Sequence, residues 1–192
     1  MPQIEPLGPG NYRRIPWKNG RGELIVIDSA GAGSWENNGV AWHFGRTAII
    51  EEGPFSDYTG YERLQVVVAG SGLVLVAPDH EIDLRVPMRP QRYDGGTPIR
   101  TRLEQGPVEV VNLIANRERF DIDLHVAHAG ATLPCVAGLH IVYAPNESGV
   151  IDIDGRTHDL ARGAALRVQT ASTVTITVRR GDVIVGSIRG KA

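Results

Sequence analysis

Gly53–Val76 reads GPFSDYTGYERLQVVVAGSGLVLV. A turn-rich lead-in runs into an apolar, β-branched stretch from Leu64 to Ala69. Gly70-Ser71-Gly72 then allows the positive φ angles of a tight turn, and Leu73–Val76 resumes the apolar run. The pattern predicts two strands joined as a hairpin. It also places an arginine, Arg63, at the mouth of the first strand, where a charge must reach either water or a bound anion.

Many segments repeat this grammar. Glu23–Asp28 and Val40–Glu51 read as strands, the second carrying Trp42, Phe44 and Arg46 on one face and His43, Gly45 and Thr47 on the other. Periodicity alone does not say which face is interior. Glu81–Val86, Ile99–Leu103, Val108–Ile114, His125–Ala127, His140–Tyr143, Gly149–Asp154, Ala165–Gln169, Thr173–Arg179 and Val183–Ile188 are further strand candidates. Val174, Ile176 and Val178 share one face of theirs. Met1–Gly10, Pro87–Pro98 and Asn116–Phe120 read as lead-in, turn-rich region and charged connector. No amphipathic helix longer than two turns is predicted. The 192 residues, with 23 glycines and 12 prolines, fit short strands and turns better than helices. A formal net charge of −2 gives no electrostatic case for nucleic acid or an anionic membrane. Cys135 is the single cysteine, so no intrachain disulfide is expected. No signal-peptide pattern opens the sequence and no apolar run reaches membrane-spanning length, so the expected location is the cytoplasm.

WKNGRG (17–22), Trp42, GPFSDYTGYERL (53–64), the turn at Gly70–Gly72 and VVNLIANR (110–117) resemble the HutD/Ves family of bicupin proteins. The likeness covers about residues 12–120, and Gly-Pro-Phe-Ser with an arginine nine residues after its proline is its most specific part. It implies an all-β bicupin, two β-barrel or jelly-roll cupin halves in one chain. Residues 1–120 would form the N-terminal cupin barrel and 121–192 a smaller C-terminal one, with strands shared across the halves left open. The departures are His43 and Gly45 where the family has Arg and Ser, Leu24 for a Thr, Glu62 for the Asp before Arg63, and Val110 for the Asp before Asn112. They bear on the shape of the family's polar pocket.

Cupins usually hold a metal through His-x-His, a later Glu and a further His. Counting back from Gly70, the Glu position is Arg63, and Ser56–Thr59 contains no histidine. A guanidinium has no lone pair to donate to a cation. The expectation is therefore no metal and no cofactor. Elsewhere, His125 and His128 sit three residues apart, on opposite faces of a strand, which is poor for chelation. Ser56 is in no nucleophile elbow, and no base is identifiable for Cys135.

The expected ligand-binding residues are Trp17, Asn19, His43, Arg63 and Asn112. Arg63 has two readings: an anion clamp, because its planar fork matches a carboxylate, or a partner of Glu62, Glu51 or Asp57 that holds the loop. Trp17 and Asn19 either close one side of such a pocket or serve as a packed aromatic and a turn asparagine. Asn112, inside an apolar run, needs a partner for its amide. The resemblance implies a small carboxylic acid such as N-formylglutamate as ligand, and an accessory or regulatory role in histidine utilisation. The alternatives are a metal-free isomerase or hydrolase using Glu62 or His43, and a purely structural or interaction protein. No nucleic-acid or membrane partner is expected. A homodimer is left open.

Overall fold

A computed structural model describes residues 1–16, 23–31 and 39–191. Among these the chain is all-β, with one 3-10 turn at Pro9–Asn11 as its helical element. The strands are β1 (Gln3–Leu7), β2 (Arg13–Pro16), β3 (Glu23–Gly31), β4 (Val40–Ile49), β5 (Tyr61–Ala69), β6 (Leu73–Val76), β7 (Glu81–Leu84), β8 (Gln91–Asp94) and β9 (Arg100–Leu103). They continue with β10 (Val108–Asn116), β11 (Phe120–Ala127), β12 (Thr132–Cys135), β13 (Gly138–Tyr143), β14 (Gly149–Ile153), β15 (Arg156–Leu160), β16 (Ala165–Thr170), β17 (Val174–Arg180) and β18 (Val183–Gly190).

The chain divides into two units, Arg13–Arg119 and Met1–Tyr12 with Phe120–Ala192. This differs from a division at 120/121 in its first twelve residues. β1 pairs with β16, Gln3 to Gln169 through Leu7 to Ala165, and Tyr12 donates its hydroxyl to the carbonyls of Leu7 and Gly163.

In Arg13–Arg119 a six-stranded sheet, β2-β3-β4-β10-β5-β8, and a three-stranded sheet, β7-β6-β9, share one apolar core. Ile49, Val67, Val108 and Val110 of the first meet Leu73, Leu75, Ile82 and Leu84 of the second. In the other unit β1-β16-β13-β18-β11 and β12-β17-β14-β15 share a core that includes Val142, Val168, Val185, Ile151, Ile153, Val174, Ile176 and Val178. Each sheet ends in two edge strands, so none of the four is a closed barrel.

The Gly70–Gly72 turn is not a hairpin. β5 pairs with β10 and β8, whereas β6 pairs with β7 and β9. The turn carries the chain from one sheet to the facing one. Both glycines have positive φ, 74° and 81°, as the sequence suggests, but crowding adds a second reason. A Cβ on Gly70 would lie 2.4 Å from the Pro107 carbonyl, and one on Gly72 2.9 Å from the Gln105 amide nitrogen.

Four strands lie in segments read as non-strand: β1, β8, β12 and β15. Each is an edge strand of four or five residues, and each carries charged residues or a proline, which edges tolerate. β2, another four-residue edge strand, also lies in a stretch not read as strand.

Candidate functional site

Opposed residues of an antiparallel ladder share a face, so the register of the six-stranded sheet decides which side chains meet. One row runs His43 (β4), Ile114 (β10), Arg63 (β5), Tyr93 (β8). The next runs Gly45, Asn112, Gln65, Gln91, and below it lie Thr47, Val110 and Val67. Val67 and Val110 belong to the core between the two sheets. The His43 face of β4 is therefore the one turned to the core between the two sheets, while Trp42 and Phe44 on its other face are buried as well.

Among the described residues, the buried polar side chains of this unit are His43, Arg63, Gln65, Thr101 and Asn112. Four of the five lie in those two rows. Arg63 is 6% exposed, and its Nη2 donates to Asn112 Oδ1 at 3.3 Å. Its guanidinium carbon lies 4.8 Å from the ring centre of Phe55 and 5.1 Å from those of Tyr58 and Tyr93. Arg63 Nε has no hydrogen-bond partner among the described residues. No carboxylate among the described residues pairs with it. Glu62, next along β5, points to the opposite face and pairs with Arg92 at 2.5 Å. Asp57 accepts from the amide and hydroxyl of Thr59. Of the loop-holding partners expected for Arg63, Glu62, Glu51 and Asp57, none pairs with it: strand alternation sends Glu62 to the other face, and Asp57 is engaged by Thr59.

Phe55 and Tyr58 are held over Arg63 by their own backbone. The Phe55 amide donates to the Ile99 carbonyl at 2.9 Å and the Tyr58 amide to the Gly95 carbonyl at 3.0 Å. Tyr93 reaches back from β8, its hydroxyl donating to Gln65 Oε1 at 2.6 Å. Burial pushes the Tyr93 phenol up to about 12, so it is a neutral donor. His43 is 3% exposed. Burial first, and then the charges of Arg13 and Arg63, push its pKa down to about 3. Gly45 gives the imidazole its room, since a Cβ there would lie 2.6 Å from His43 Nε2.

His43, Arg63 and Asn112 are thus brought into one interior patch. Trp17 and Asn19 lie outside the described residues. Sequence reasoning missed Phe55, Tyr58, Gln65 and Tyr93. Gln65 carried a usable signal, because a polar residue two positions after Arg63 in an apolar run must share its face. Tyr93 carried none, lying in a segment read as turns. An open groove lined by His80, Asp83, Arg89, Gln91, Arg92 and Tyr93 lies on the β7–β8 side. Tyr93 is common to this groove and to the Arg63 surroundings.

The donor set does not fit a cupin metal. The interior position is a guanidinium, and no group of three His, Cys, Asp or Glu among the described residues could hold an ion. His125 and His128 pair separately, with Asp123 and Asp182. His140 is satisfied on both nitrogens, by Ser187 and the Val136 carbonyl.

The buried arginine under aromatic rings, beside an asparagine, lies within a stretch matched by a family model. That model is HutD, and it covers residues 10–185. The chain belongs to the HutD family. A relative from Pseudomonas putida, an uncharacterised 21.2 kDa protein in the hutC 3′ region, is 28% identical over 158 residues, 81% of each chain. The structure of HutD from Pseudomonas fluorescens SBW25, in a formate condition, superposes with a TM-score of 0.83 at 26% identity, covering 99% of this chain and all of that one. Salicylate 1,2-dioxygenase from Pseudaminobacter salicylatoxidans matches at a TM-score of 0.55 and 8% identity, over 79% of this chain and 74% of that one. That likeness shows a cupin-like fold and nothing more. The HutD family is associated with the histidine-utilisation locus. No helix among the described residues is long and apolar enough to cross a membrane.

Proposed function

We propose that the interior of the Arg13–Arg119 unit binds a small carboxylate without a metal, and that the protein serves histidine utilisation as an accessory or regulatory binder of an acidic metabolite, N-formylglutamate being one such acid. On this reading each unit is one cupin half of a bicupin. One observation carries the ligand reading: Arg63 is buried, has no carboxylate partner among the described residues, and keeps an unbonded Nε. Burying a charge without its counter-charge is costly. The rings of Phe55, Tyr58 and Tyr93 offset part of that cost through cation–π attraction, and a bound carboxylate would offset far more through charge-assisted hydrogen bonds. Asn112 holds one arm of the fork, and His43, neutral at working pH, adds no competing charge.

The test is melting temperature across a set of small carboxylic acids, including formate and N-formylglutamate, on wild type and Arg63→Ala. A ligand that binds only the folded state raises the melting point with its concentration. The expected result is a concentration-dependent rise in wild type that Arg63→Ala abolishes. A rise of equal size in both proteins removes Arg63 from the site.

A further inference from the structure

Gln65 is the interior residue for which the carboxylate reading leaves no role. It is fully buried, 0% exposed, and lies on the face of β5 that carries Arg63, about 7 Å further along the strand. Tyr93 Oη donates to its Oε1 at 2.6 Å. Its Nε2 has no hydrogen-bond partner among the described residues. An unbonded amide above the apolar floor of Val67 and Val110 is a liability that an apolar side chain would remove. Tyr93 holds one end of this amide and so fixes where the other end points. The same Tyr93 ring stands over the Arg63 guanidinium, so the two unbonded donors, Arg63 Nε and Gln65 Nε2, share one aromatic wall.

Resting on the carboxylate reading, we infer that Gln65 is a second ligand-reading position and that Tyr93 is its positioning residue. The ligand is a small carboxylate carrying a neutral oxygen acceptor further along its chain. Its carboxylate takes Arg63, and its carbonyl or amide oxygen takes Gln65 Nε2. Gln65 Nε2 takes a neutral oxygen in preference to a second carboxylate, because the unit buries one cation, Arg63, among its described residues, and an anion buried against Gln65 would stand unpaired.

The probes are pentanoate, 4-oxopentanoate, 5-oxohexanoate and glutarate, measured calorimetrically on wild type, Gln65→Leu, Gln65→Met, Tyr93→Phe and Arg63→Ala. Circular dichroism melting checks that each variant is folded. At least one oxo acid is expected to bind wild type tenfold or more tighter than pentanoate, and glutarate no tighter than that oxo acid. Gln65→Leu is expected to erase the oxo preference while leaving pentanoate affinity within about threefold. Gln65→Met serves the same comparison should the leucine variant not fold. Tyr93→Phe, which keeps the ring over Arg63 and loses the hold on Gln65, is expected to weaken the oxo acid more than pentanoate. An oxo preference that survives in both Gln65 variants, or a wild type that prefers neither oxo acid, overturns the inference while leaving the carboxylate site standing. Pentanoate affinity unchanged in Arg63→Ala overturns the carboxylate reading itself.

Discussion

Arg63 and His43 have opposite buried chemistries, and each makes a measurable claim. Arg63→Ala is expected to weaken a binding carboxylate ten- to a hundredfold, since charge-assisted bonds contribute roughly 1.5–3 kcal/mol. Arg63→Lys should recover part of that, because an ammonium presents no fork. Calorimetry on the two variants checks both. Without ligand, Arg63→Met is expected to melt no lower than wild type, because it keeps the stem packing under three rings and removes an uncompensated charge. His43 titrates near 3 in the folded protein and near 6.5 when unfolded. The unfolded chain therefore binds the extra proton between these values. The stability due to His43 is complete above about pH 6.5 and is lost as pH falls toward 3, at up to about 1.4 kcal/mol per pH unit. His140, also lowered mainly by burial, adds to the same slope. Melting curves from pH 4 to 7 should be flatter for His43→Gln than for wild type. Much of this site was legible in the sequence. Arg63 and Asn112 stand out as polar residues in apolar runs, and His43 as a pocket-strand histidine. Gln65 was hidden inside a run read as apolar, and the aromatic box could not be seen because its members come from a loop and an unrecognised edge strand.

At the scale of elements, the turns were legible and the destinations of the strands were not. Gly70 and Gly72 announce positive φ, but nothing local says that β6 crosses to the facing sheet, since the reason lies in the Gln105–Pro107 backbone 33 or more residues away. Asp154-Gly155, with φ of 47° and 82°, does turn a hairpin, β14 into β15, as an Asp-Gly pair should. The distinction between turn conformation and close approach can be measured. Gly106 has φ of 85° but open space around its missing Cβ, whereas Gly70 combines φ of 74° with the Pro107 carbonyl 2.4 Å away. Gly106→Ala is expected to cost about 1 kcal/mol, the strain of a left-handed alanine. Gly70→Ala should cost at least about 2 kcal/mol, or roughly 4–8 °C of melting temperature for a chain of this size. Equal losses in thermal melts of the two variants would mean that crowding at Gly70 is relieved elsewhere. The short edge strands escaped the sequence because they lack the apolar alternation that marks a strand buried on one face.

For the whole molecule, the all-β class follows from glycine, proline and turn spacing, and two of the segments carrying the family likeness, 53–64 and 110–117, supply the loop and strands around Arg63. Elemental analysis is expected to find no stoichiometric transition metal, and chelator should leave the melting point unchanged; near one metal per chain would contradict the donor chemistry around Arg63. What composition could not reveal is that β1 belongs with β16. That pairing sets a timetable for biosynthesis. Gln3–Leu7 leaves the ribosome before any residue of the Arg13–Arg119 unit, yet its ladder partner Ala165–Gln169 is made some 160 residues later. At about 5–20 residues per second the first strand waits roughly 8–30 seconds with its edge unsatisfied, while the intervening unit can complete its own two sheets. Its sequence, QIEPL, suits that wait: a glutamate and a proline discourage the nascent strand from pairing with a neighbour on the same polysome.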